Sequence, residues 1–135
     1  MADLLICKTC GVQYSTTSVD FLKNECKICL DPRQYVPPAG QSWLTLSKLR
    51  SDANHKNIFH PIDSDQTSYA RLIAIRTEPQ VAIGQSTYLV RTPEGNVLWD
   101  CITYLDDETI EAIKEYGGLK AIVISHPHFY STHVE

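Results

Sequence analysis

The chain has 135 residues, about one domain on a prior of roughly 100–200 residues per domain, with 43% hydrophobic and 21% charged side chains. That balance excludes disorder along the whole chain, and no apolar run approaches the roughly 20 residues of a membrane-spanning helix. The net charge of −4 is uneven, +2 over residues 1–60 and −6 over 61–135; the acidic second half argues against a nucleic-acid surface, which needs clustered Lys and Arg.

The start, Met1-Ala2-Asp3-Leu4-Leu5-Ile6, lacks the basic head and long apolar stretch of a secretory signal. The expected compartment is therefore intracellular, cytoplasmic or nuclear. Cys7-x-x-Cys10 and Cys26-x-x-Cys29 follow, with fifteen residues between the pairs. Two cysteines three apart wrap a tight turn around one ion and supply two corners of a tetrahedron; a second such turn supplies the others. Gly11 suits a knuckle that needs a left-handed residue. Two disulfides are the competing reading, and they require an oxidising compartment. A small zinc-ribbon-like module, residues 1–40, is the expected outcome, with one structural Zn²⁺ as a folding element. Tyr14, Val19, Phe21, Leu22 and Ile28 are its apolar anchors, and Tyr35 or Val36 is expected to cover the metal. Lys8, Lys23, Lys27 and Arg33 read as a solvated basic face, or as contacts to phosphate.

Pro37-Pro38-Ala39-Gly40 reads as a stiff boundary. Residues 41–68 are expected to be linker and surface loop, with one or two helical turns from Trp43, Leu44, Leu46 and Leu49, and with His55 and His60 in solvent. Residues 69–135 change character. Leu72–Ile75 reads as a strand, Val81–Gly84 as a short extended piece, and Thr87–Arg91 and Val97–Asp100 as a hairpin around Pro93-Glu94-Gly95-Asn96. Residues 106–116 read as a helix with Asp106 as N-cap and Gly117-Gly118 as stop. Leu119–Ile124, apolar but for Lys120, is expected to be a strand buried on both faces. Cys101 reads as a small semi-apolar residue at a strand end.

The last eleven residues, Ser125 to Glu135, carry three of the five histidines: His126, His128 and His133. Residues two apart in an extended segment face the same way, so His126 and His128 can address one ion. His133 reaches it only if the chain turns back after Phe129-Tyr130.

The strands at 87–91 and 97–100, the helix at 106–116 and Ala121-Ile122-Val123-Ile124-Ser125-His126-Pro127-His128 together resemble the first half of a metallo-β-lactamase-fold hydrolase. The resemblance covers about residues 70–135. It implies an incomplete αββα half-sandwich of α/β class, a metal-activated water in an intact relative, and a hydrolase-type site at His126, His128 and His133 with a possible second Zn²⁺. Asp100 matches that family's structural Asp beside the site, and Tyr130 is a neighbour able to offer a hydroxyl. The family's His-x-His-x-Asp-His loop would put Asp at position 130 and His at 131, where this chain has Tyr130 and Ser131. The family's later ligands have no counterpart before Glu135. The expected chain is thus a truncated member, inactive alone, whose sandwich a second chain or a further segment completes, and no catalytic residue is assigned. The alternative is a non-enzymatic zinc-knuckle module binding protein or nucleic acid.

Overall fold

The computed structural model describes residues 3–33, 36–52, 54–62 and 71–135. The fold is mixed α/β, mostly sheet with few helices. Near the amino terminus, β1 (Ile6–Cys7) pairs antiparallel with β2 (Trp43–Leu44), and the six-residue helix α1 (Leu46–Ser51) follows. The main sheet holds five strands in sequence order: β3 (Lys56–Pro61), β4 (Leu72–Glu78), β5 (Thr87–Val90), β6 (Val97–Trp99) and β7 (Ala121–Val123). The first three pairings are antiparallel. β6 and β7 run parallel, joined by α2 (Asp107–Glu115) as crossover.

Side-chain alternation divides this sheet into two unlike faces. Ile73, Ile75, Leu89 and Leu98 point toward α2 and form the main core with Ile102 and Ile113, with Phe59 packed against it. A second cluster (Ile6, Leu46, Leu49, Val81, Tyr104) lies under α1, and Leu105 borders both. The opposite sheet face carries the cross-strand row Tyr88, Trp99 and Val123, with Trp99 45% and Val123 41% exposed.

Helix α2 starts where the local chemistry supplies its caps. Asp106 accepts from the Thr109 backbone N–H at 2.8 Å, filling one orphan donor of the first turn. At the far end Asn96 Nδ2 donates to the carbonyls of Tyr116 and Gly118, both at 2.9 Å. Beneath the helix, Asn57 is a polar hub: its Nδ2 donates to Tyr104 O at 2.8 Å and Thr109 Oγ1 at 2.7 Å, and its Oδ1 accepts from Thr77 Oγ1 at 2.7 Å.

Five expectations change. The stretch 41–68 is no plain linker: beside the expected helical turns, which are α1, it contains β2 and β3, the latter hidden because the polar side chain of Asn57 bonds inward to Tyr104 O. Pro37–Gly40 does not separate two independent pieces, since β1 pairs across it with β2. Val81–Gly84 is a turn closed by Gly84 N–H to Val81 O at 3.0 Å, not an extended piece. β7 is not buried on both faces: it is an edge strand whose three residues are all exposed, Ile122 at 51%. An apolar run reports preference for burial and not the presence of a neighbour. His55 also departs, its side chain only 11% exposed and its ring tilted on Tyr104, while His60 is exposed as expected. The expected boundary at 68/69 and the loop at 63–68 lie outside the described residues.

Replacing Leu89 by Ala opens a cavity in a fully buried site, and urea denaturation will show a loss of about 2–5 kcal/mol. Asp106→Ala removes a cap at the surface and will cost about 1 kcal/mol in the same measurement.

Candidate metal centre

Both knuckles are shaped by backbone bonds. In the first, Gly11 N–H donates to Cys7 O at 2.8 Å and Cys7 N–H to Val12 O at 2.9 Å. Gly11 sits at φ +87°, where a Cβ would stand 3.2 Å from both Ala82 Cβ and Thr103 Cγ2. The knuckle therefore needs glycine for conformation and for close approach to the main body. In the second, Cys29 N–H donates to Cys26 O at 3.0 Å.

The result brings Cys7, Cys10, Cys26 and Cys29 together, all buried, with their sulfurs within 4.8 Å of one another. Cys7 Sγ lies 3.7 Å from Cys29 Sγ, and Cys10 Sγ 3.7 Å from Cys26 Sγ. A disulfide needs about 2.05 Å, and all five cysteines are free. Four sulfurs bound at about 2.3 Å around a tetrahedral ion would stand about 3.8 Å apart. The donor set and spacing therefore fit one zinc ion, with no disulfide. Among the described residues this is the one group of three or more His, Cys, Asp or Glu so disposed.

Electrostatics point the same way. Hydrogen bonds from Cys10 and Cys7, and a further one from Tyr14, pull the Cys26 thiol strongly down toward thiolate. The same contact, with Cys26 as the charged partner, pushes Cys10 up, and burial pushes Cys29 up to about 12. Negative charge on one sulfur thus suppresses it on others, and a divalent cation removes that conflict.

The shell is aromatic and aliphatic: Tyr14, Ile28, Val36, Trp43 and Tyr130 pack on the cysteines. Val36 fills the covering place expected of it; Tyr35 lies outside the described residues. Tyr14 is more than an apolar anchor, because its hydroxyl donates to Cys26 Sγ at 3.3 Å and accepts from Lys27 N–H at 2.9 Å. Sequence reasoning missed that role, since nothing in the spacing marks a tyrosine as a partner of sulfur. Lys8, Lys23, Lys27 and Arg33 are exposed, and Arg33 is paired to Asp31 at 2.7 Å.

The histidines come only partly together. After β7, Ser125 is fastened to the buried Asp100 carboxylate, which accepts from Ser125 N–H at 2.8 Å and from its hydroxyl at 2.9 Å. A single 3₁₀ turn, Pro127–Phe129, then stacks the His126 and His128 rings 4.8 Å apart, with their Nδ1 atoms 3.1 Å from each other. His126 Nδ1 also accepts from His128 N–H at 3.2 Å. His133 does not join them. It packs on Tyr130 (5.1 Å between rings) and lines a cleft of about 390 Å³ with Ile110, Leu119 and Ile122. The turn after Tyr130 is redirected by Ser131, at φ 39° and fully buried. Tyr130 itself is a packed aromatic over the cysteines. Cys101 is buried, and burial, with the Asp100 charge second, raises its thiol to about 11.

In the zinc-loaded chain at pH 8, iodoacetamide is expected to label none of the five cysteines, and chelation is expected to expose four. Protons compete with metal for thiolates, so zinc release should increase as pH falls. A colorimetric zinc indicator followed from pH 8 to pH 4 checks the sign.

The uncharacterized protein YmaE of Bacillus subtilis (strain 168) is 50% identical to this chain over 130 residues, covering 96% of the chain and 44% of its own length. The chain thus spans less than half of the curated relative it matches. No family model matches, and no solved structure matches.

Proposed function

We propose that Cys7, Cys10, Cys26 and Cys29 hold one Zn²⁺ as a structural centre, and that this chain is the zinc-organised first portion of a metallo-β-lactamase-type hydrolase. The observation that carries the first part is the buried group of four sulfurs within 4.8 Å of one another. Bound there, zinc supplies a four-cornered cross-link between two loops and leaves no coordination position open to substrate.

The hydrolase reading rests on the run from β7 through Ser125 into His126-Pro127-His128, fastened by Asp100. The paired imidazoles amount to two ligands, whereas catalytic zinc takes three protein ligands plus a water. Among the described residues no further ligand completes that site, so no hydrolytic step follows from them, and this portion alone is inactive. Two features support completion by further polypeptide: the sheet face bearing Tyr88, Trp99 and Val123, which nothing covers among the described residues, and the edge of β7, which no described strand pairs. The longer relative has more chain than this one with which to cover them. The occupant of that face is accordingly polypeptide equivalent to the unmatched remainder of YmaE.

Elemental analysis is expected to find one tightly held zinc per chain, lost from the Cys26→Ser/Cys29→Ser variant. Mixing or fusing the chain with the unmatched remainder of YmaE should give a 1:1 assembly. That assembly should hold additional metal, lost with His126→Ala and His128→Ala, and should show chelator-sensitive hydrolysis. Zinc in the chain but no assembly and no added metal would leave the knuckle-module reading in its place.

A further inference from the structure

Residues 129–135, which directly follow the His126–His128 turn, are gripped from two sides. On one side is the cysteine module: Gln13 N–H donates to Ser131 O at 2.8 Å, Gln13 Nε2 donates to Glu135 Oε1 at 2.9 Å, and the Tyr130 ring packs on the cysteines. On the other is the segment after β6: Cys101 N–H donates to Phe129 O at 3.3 Å, and Thr132 Oγ1 to Ile102 O at 2.6 Å. Gln85 Nε2 adds to this second side, joining it to the turn by donating to Cys101 O at 2.8 Å and to Ser131 Oγ. Gln13, Ser131 and Thr132 are all buried, so apart from the bond to the exposed Glu135 these contacts lie away from the surface.

The two sides differ in what holds them. The segment after β6 belongs to the sheet and its core. The module's own buried cluster consists of the four cysteines and Val12, with partly buried neighbours around it. Such a cluster has little apolar surface apart from its sulfurs, so its shape depends on the ion that joins them. Where the module loses its shape, Gln13 and Tyr130 lose their places, and the turn is gripped from one side only.

We infer that the zinc-loaded module is the clamp that positions the His126–His128 turn, with Tyr130 and Gln13 as its positioning residues. The inference rests on the tetrathiolate reading and extends it: occupancy at one metal centre decides whether the two imidazoles stand side by side 97 or more residues later in the chain. Linkage makes the coupling reciprocal. Loosening the grip on the turn must weaken zinc at the thiolates, although no ligand has been touched.

The test uses the full chain. Zinc affinity is measured by competition with a chromophoric chelator, amide hydrogen exchange is read over residues 126–133, and the histidine ring nitrogens are followed by NMR. Tyr130→Ala and Gln13→Ala are expected to retain one zinc, to bind it about tenfold more weakly, and to exchange faster at 128–133 while β4 and β5 stay protected. In the zinc-loaded wild type the His126 ring should be fixed by the bond its Nδ1 accepts from His128 N–H. Chelation should release that ring and the amides around it. Ile58→Ala, on the opposite sheet face, should change neither readout. If Tyr130→Ala does not fold, Gln13→Ala and chelation of the wild type still decide. Unchanged exchange at 128–133 after zinc removal, or unchanged zinc affinity in a folded variant, overturns the clamp. A wild-type chain that binds no zinc at the thiolates overturns the tetrathiolate reading itself.

Discussion

Four sulfurs confined within 4.8 Å cannot all carry charge in a buried site without a cation among them. The amino-terminal third of the chain is organised around this constraint. Short runs of backbone bonding, a two-strand pairing and a few rings surround the cysteines, and none of these makes an ordinary core. The metal would therefore do there what aliphatic packing does in the main sheet. The hydroxyl of Tyr14 shows how closely the protein side is fitted to that role, because it satisfies a sulfur and a backbone N–H at once.

The rest of the fold depends on two different devices. An aliphatic layer from β4, β5 and β6 buries one sheet face under α2. Around its edge, amide side chains do the joining: Asn57 ties β3 and β4 to the start of α2, Asn96 closes its end, and Gln85 ties the strand region to the carboxyl-terminal turn. Amides buried wholly, as Asn96, or in part, as Asn57 and Gln85, are expensive to leave unpaired, and where paired they fix register and angle in a way that methyl groups cannot.

What the sequence made legible was local. The knuckle spacing, the Asp106 cap, the Gly117-Gly118 stop and the turn at 93–96 each place their chemistry within a few residues, and each appears where expected. What stayed hidden depended on distant partners. Strand β3 is hidden in the sequence because Asn57 is polar yet bonds inward, and the apolar run of β7 signals burial although no strand lies on its outer side among the described residues. The course of His133 turned on Ser131, whose carbonyl and hydroxyl are claimed by Gln13 and Gln85, residues 118 and 46 positions away. No spacing rule within the last ten residues could have revealed that.

β7 has a further consequence for the isolated polypeptide. Its outer row of backbone donors and acceptors is bare among the described residues, and its side chains are Ala121, Ile122 and Val123. Natural sheets discourage intermolecular strand pairing with lysine, proline or a bulge along such a margin. The cation that precedes this strand, Lys120, is folded back on the β5–β6 turn, its Nζ donating to Glu94 O at 3.1 Å and its stem lying against Gly95. The margin is thus left without a gatekeeper, and a concentrated preparation of this chain by itself is prone to zip into aggregates along that side.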